Sequence, residues 1–134
     1  MTLPPGVTLD VVPWGDEGLV RMRAEQQAEL EEMYGRGDLV EVEDLPHEDM
    51  LATVLLSVDG EAVACGSLRE AAGYGDGYGE LKRMYVRPAA RGRNLAALVL
   101  ARLEQLAQER GLRRLILETG VLQVPAVRLY RSAG

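Results

Sequence analysis

Two arginines, a glycine and an asparagine, Arg91-Gly92-Arg93-Asn94, stand at the mouth of an apolar run whose residues recur at helical spacing. The first N–H groups of a helix have no partner inside it, and the positive end of the helix dipole gathers there. An anion, above all a phosphate, suits such a place. Arg91 and Arg93 can add charge-assisted hydrogen bonds, and Gly92 lets a backbone approach closely. The other residue types that often do chemistry give less. Cys65, inside "AVACGSL", reads as a small buried hydrophobe rather than an acyl carrier. His47 has no second ligand near it in sequence, so neither a metal site nor a histidine-based triad is supported. The glycines of "AAGYGDGYG" do not follow the dinucleotide spacing and precede a strand rather than open a helix.

The elements that must position the turn are legible in outline. "VTLDVV", Val7 to Val12, alternates as a first strand and ends at Pro13. Gly15 to Tyr34 is helix-like, with Asp16 and Glu17 suited to its first turn and Gly35 to its end, although its apolar face is weak. The acidic, punctuated segment that follows reads as loop. "LATVLLSV" and "EAVACGSLRE" flank Asp59-Gly60, the strongest hairpin signal in the chain. "ELKRMYV" forms a strand up to Pro88. Leu95, Leu98, Val99, Leu103 and Leu106 then mark a helix stopped by Gly111. "RRLILETG" is a further strand, and "VPAVRLYRSAG" a last helix with Pro125 in its first turn. The order is strand, helix, hairpin, strand, helix, strand, helix: one mixed α/β domain over residues 1–134.

Composition sets the class of partner. At 134 residues, 47% hydrophobic and 27% charged, the chain has the balance of a soluble globular domain. No apolar run is long enough to span a membrane, and residues 1–10 have neither the basic nor the apolar region of a secretory signal. A single cysteine agrees with a reducing, cytoplasmic setting. The net charge of −6 hides an asymmetry: residues 1–80 carry 18 acidic and 4 basic side chains, residues 81–134 carry 3 and 11. The carboxyl-terminal portion therefore suits an anionic partner. The overall acidity argues against an extended nucleic-acid backbone and favours a small phosphate-bearing ligand.

From Glu80 onward the chain resembles the Gcn5-related N-acetyltransferase (GNAT) family. That family's central motif is a strand, then R-x-x-G-x-A or Q-x-x-G-x-G, then a long helix. Here it stands as Arg91-Gly92-Arg93-Asn94-Leu95-Ala96. "ELKRMYVRP" resembles the family's fourth strand, "LETG" its fifth, and Ala126, Leu129 and Tyr130 the A-x-x-L-Y pattern of the following helix. Two departures stand out. Asn94 occupies the usual place of a glycine, and the chain stops at "RSAG", where such proteins continue into a last β-hairpin.

The resemblance implies a mostly antiparallel sheet flanked by helices, the acyl-CoA N-acyltransferase fold, with acetyl-CoA as acyl donor and an amine as acceptor. It places the pyrophosphate on the amides of Arg91 to Ala96, and the pantetheine arm along Met84, Tyr85 and Val86, held by backbone groups of Met84 and Val86. It puts Gln123 near the same arm. One backbone N–H would polarise the thioester carbonyl. Glu80 matches a general-base position, with Glu118 as the second candidate. Tyr130 matches the tyrosine that protonates the leaving thiolate. No covalent enzyme intermediate and no metal are implied. The acceptor, a small molecule or a peptide amine, is left open, and an uncovered sheet edge would suit a second copy of the chain. Two rivals differ in class: a non-catalytic acyl-CoA-binding regulatory module, indifferent to Glu80, and a nucleic-acid-binding domain, disfavoured by the lack of a recognition motif or aromatic platform.

Overall fold

Asp59 and Gly60 both adopt positive φ, 51° and 85°, the backbone that a two-residue hairpin turn demands. The turn joins strand β2 (Met50–Val58) to β3 (Glu61–Glu70) and anchors the register of the sheet. The computed structural model of the chain describes residues 3–34, 50–70 and 77–117. In order these form β1 (Val7–Val11), α1 (Glu17–Tyr34), β2, β3, β4 (Tyr78–Val86), a 3-10 turn at Pro88–Ala90, α2 (Leu95–Glu109) and β5 (Arg114–Leu117). The five strands form one sheet in sequence order, β1 to β4 antiparallel and β5 parallel to β4 through the α2 crossover. This is the mixed, mostly antiparallel α/β sheet expected. The anticipated segments at 35–49, 71–76 and 118–134 lie outside the described residues.

Each helix packs on one face. The helix α1 begins at Glu17, two residues later than the expected Gly15, and Asp16 precedes it: its carboxylate accepts from the Leu19 N–H at 3.1 Å, satisfying one of the first-turn donors. Leu19 and Met22 of α1 pack on Leu55, Cys65 and Tyr85. On the other face Leu95, Val99, Leu103 and Leu106 of α2 meet Val54, Leu56, Ala64, Leu68 and Leu81. Full burial of one such leucine, Leu103, stabilises by roughly 1.5–3 kcal/mol. Gly66 allows α2 to come this near, because a Cβ there would lie 2.9 Å from both Val99 and Leu103. At its far end α2 closes with Gly111 at φ 77°, the Leu112 N–H reaching Ala107 O and the Gly111 N–H reaching Gln108 O, at 3.0 Å each.

One irregularity matters for function. Between the pairs Cys65↔Tyr85 and Ser67↔Lys82, β3 advances two residues and β4 three, and Arg83 absorbs the extra residue at φ 56°. This bulge resets the alternation of β4. Leu81 and Met84 belong to the α2 face. Glu80, Lys82 and Tyr85 consequently all belong to the α1 face, which a regular strand could not achieve.

Candidate functional site

The site grows out of β4. Within the described residues β5 pairs with Tyr78 to Leu81, and the bulge follows directly. Beyond it, Arg87 donates to Val63 O at 2.9 Å, so Tyr85 and Arg87 direct their backbone groups to β3. Met84 and Val86 therefore direct theirs to the opposite edge. Both carbonyls on that edge are engaged by side chains: Met84 O accepts from Gln26 Nε2 at 3.0 Å, and Val86 O from Arg91 Nε at 2.9 Å. Among the described residues β5 does not reach the Met84 and Val86 N–H groups, which are placed to donate to a carbonyl lying along the edge.

The edge leads into the turn. Gly92 takes φ 84° and Asn94 φ 62°, so Asn94 enters α2 in the left-handed conformation that asparagine tolerates best after glycine. Asn94 gives no side-chain cap, and the N–H groups from Gly92 to Ala96 find no main-chain acceptor among the described residues. A Cβ built on Gly92 would meet no described atom within 4 Å. Gly92, Arg93 and Asn94 are exposed, Leu95 is buried beneath them, and Ala96 is half-buried. Such a concave row of donors at a helix start holds anions.

Arg91 behaves differently from Arg93. Its guanidinium turns to α1, where Nη2 contacts both oxygens of Glu29 at 2.7 Å, and it lies 5.8 Å over the Tyr85 ring. One turn earlier Arg87 grips Glu25 with Nε at 2.8 Å and Nη2 at 2.6 Å. The hydrogen bond from Arg87 holds the Glu25 carboxyl below its ordinary range against the opposing effect of burial. Tyr85 is buried against α1, and burial, with Glu29 and Glu25 nearby, pushes its phenol upward.

Glu80 sits third in β4 rather than at its start, and only 8% of it is exposed. Lys82 Nζ lies 3.3 Å and Arg69 Nη1 3.9 Å from its two oxygens. Ser67, opposite Lys82 on β3, is fully buried, and its Oγ has no partner among the described residues. Cys65 lies under α1, its thiol 3.6 Å from Arg83 O and pushed up to about 12 by burial. Of the residues suggested by sequence, Glu80, Met84, Tyr85, Val86 and Arg91 to Ala96 fall along β4 and the turn after it. Glu118, Gln123 and Tyr130 lie outside the described residues, as does His47. Sequence reading singled out neither Lys82 nor, individually, Gln26 and Glu29, whose stretch "AEQQAELEE" reads as a solvated helix face that could at most help attract a cationic amine. Lys82, two residues from Glu80 on the same face of β4, could have been found from the strand's alternation alone.

The GNAT acetyltransferase family model matches residues 19–134. An IAA acetyltransferase of Azospirillum brasilense is 45% identical over 75 residues, covering 56% of this chain and 48% of that protein. An uncharacterized N-acetyltransferase of Escherichia coli is 37% identical over 81 residues, covering 60% and 48%. The chain thus spans about half the length of the curated relatives it matches. Among solved structures, an acyl-CoA N-acyltransferase of Klebsiella pneumoniae superposes with a TM-score of 0.78 at 31% identity, over 96% of this chain and 81% of that one. An acetyltransferase of Clostridium acetobutylicum solved with acetyl-CoA shares the fold, with a TM-score of 0.67 at 18% identity over 96% and 88% of the two chains.

Proposed function

We propose, starting from the fact that this chain belongs to the GNAT acetyltransferase family, that it transfers an acetyl group from acetyl-CoA to a primary amine by direct attack. The observation that carries the reading is the continuity of the bulged β4 edge with the row of N–H groups from Gly92 to Ala96, which find no main-chain acceptor among the described residues. A diphosphate fits that row in charge and in space, with Arg93 beside it. Acetyl-CoA, when bound, supplies an activated thioester. An N–H of Met84 or Val86 is suited to the oxygen on which charge develops, an interaction that strengthens in the transition state.

An aliphatic amine arrives largely protonated and must lose a proton before it can attack. Glu80 is the candidate base, acting directly or through water. Its contacts with Lys82 and Arg69 orient the carboxylate but must yield for it to take a proton. Glu118 as second base, Tyr130 as acid and Gln123 as a pantetheine contact belong to the same proposal. Cys65 supports direct attack, since a buried thiol pushed up to about 12 is no acyl carrier. The acceptor is proposed as a small-molecule or peptide amine.

The ion pairs on Glu80 favour a second reading, an acyl-CoA-binding module without catalysis. Calorimetric titration with acetyl-CoA tests the shared part: binding by the parent and at least about tenfold weaker binding by Arg93→Glu are expected, the effect of losing one charged contact and adding a repulsive one. An acceptor screen with Glu80→Gln then separates enzyme from sensor. Binding without turnover of any amine would favour the sensor.

A further inference from the structure

The Gln26 carboxamide is half used. Nε2 donates to Met84 O at 3.0 Å, while Oε1 is buried and has no hydrogen-bond partner among the described residues. The Met84 carbonyl settles which end is which, because an oxygen turned toward it would be repelled. Gln26 belongs to α1, the helix seated on the face that carries Glu80, Lys82 and Tyr85. Buried polar atoms are nearly always paired, and an exception needs a reason. Here the orphan is an acceptor held beside the edge of β4 that β5 leaves unpaired among the described residues, within the reach of one carboxamide of the Met84 backbone.

Geometry indicates which donor belongs there. A ligand extended along β4 like an added strand keeps its carbonyls close to the plane of the sheet. A nucleophile meets a carbonyl carbon from above or below that plane. The α2 helix fills one side, with the Met84 side chain near Gly66, Val99 and Leu103. The α1 side carries Gln26 and Glu80. We propose that Gln26 orients the incoming amine: pinned through Nε2 to the Met84 carbonyl, its Oε1 accepts a hydrogen bond from an N–H of the acceptor and turns the nitrogen lone pair toward the edge of β4.

This inference rests on the proposed function. The carboxamide takes no proton. As the N–C bond forms and the C–S bond breaks, the proton shed by the nitrogen goes to a base or water, and the electron pair leaves with the thiolate. Gln26 is therefore a substrate-positioning residue, and its loss should raise the requirement for amine without touching the donor thioester.

The test uses hydroxylamine, an amine small enough for any acceptor pocket and uncharged near neutral pH. In the parent saturated with coenzyme A, the side-chain 15N–1H resonances of Gln26 should move on titration with hydroxylamine. In Gln26→Leu, aminolysis of acetyl-CoA by hydroxylamine should fall about tenfold or more. The calorimetric Kd for acetyl-CoA should stay within about twofold of the parent, since no contact to the donor is lost. Unmoved Gln26 resonances, or a Gln26→Leu rate equal to the parent's, overturns the inference. So does a weakened Kd with an unchanged dependence on hydroxylamine, which would assign Oε1 to the donor. A parent that binds no acetyl-CoA overturns the proposed function itself, an outcome distinct from all of these.

Discussion

Nη2 of Arg91 contacts both carboxylate oxygens of Glu29 at 2.7 Å, tying the turn before α2 to the middle of α1. The pair repeats, one helical turn away, the grip of Arg87 on Glu25. Two acids four residues apart on α1 thus face two arginines four residues apart after β4. Arg91 meets its charge partner inside the protein, so anion binding at the turn falls to Arg93 and the backbone.

Glu29→Gln releases Arg91 and removes a negative charge close to the turn. Acetyl-CoA binding is expected to tighten by about three- to tenfold at low ionic strength, with most of the gain gone at about 1 M salt. Calorimetry at the two salt concentrations checks it. Unchanged affinity at low salt would mean that Arg91 stays turned away from the ligand even when free.

Arg87 gives a pH dependence with a definite sign. Its hydrogen bond lowers the Glu25 pKa in the folded state below the ordinary 4.5. The group therefore stabilises the fold above the unfolded value, and this contribution fades as pH falls from about 4.5 through the folded value. Because 37% of the Glu25 side chain is exposed, screening holds the gain below about 1 kcal/mol. Urea midpoints of the parent and Glu25→Gln should differ at pH 7 and converge as pH drops toward 3.

Cys65 acts in the opposite direction at high pH. Burial holds the thiol proton in the folded state to about 12, while the unfolded thiol releases it near 9.0. Stability should fall above pH 9.0, with a limiting slope of about 1.4 kcal/mol per pH unit from this group. Cys65→Ala should flatten that limb of a denaturation series. In the folded parent an aromatic disulfide reagent should label Cys65 only as fast as the structure opens, and rapid labelling in native buffer would contradict the burial.

Gly66→Ala places a methyl group against Val99, Leu103 and the Met84 side chain. The cost should be about 1–3 kcal/mol in urea unfolding, because α2 must shift or its side chains leave their rotamers. Displacement of Met84 would also disturb the edge, so acetyl-CoA affinity should fall together with stability. A neutral result would show that the Met84, Val99 and Leu103 side chains together make room for the methyl group without cost.

Much of the scaffold was legible beforehand because it is local. Asp59-Gly60 announces a turn through φ, Asp16 caps through its own carboxylate, and the leucines of α2 repeat at the period of one buried face. The turn at Arg91 to Ala96 was equally visible, since orphan N–H groups at a helix start follow from backbone geometry alone. Arg83 was not: nothing in "ELKRMYV" marks one residue as the extra one, because a bulge is a relation between two strands.

The sequence by itself determined the elements, their order, the strand-to-helix turn at Arg91 to Ala96 and its resemblance to an acyltransferase motif, since each depends on neighbours along the chain. Only the tertiary structure decided what meets at that turn. Glu29 reaches Arg91 across 62 residues of chain, and Gln26 reaches Met84 across 58. Such pairings depend on where α1 crosses the sheet and on the phase of β4 after Arg83. Packing and register set both, and neither leaves a periodic trace in the order of residues.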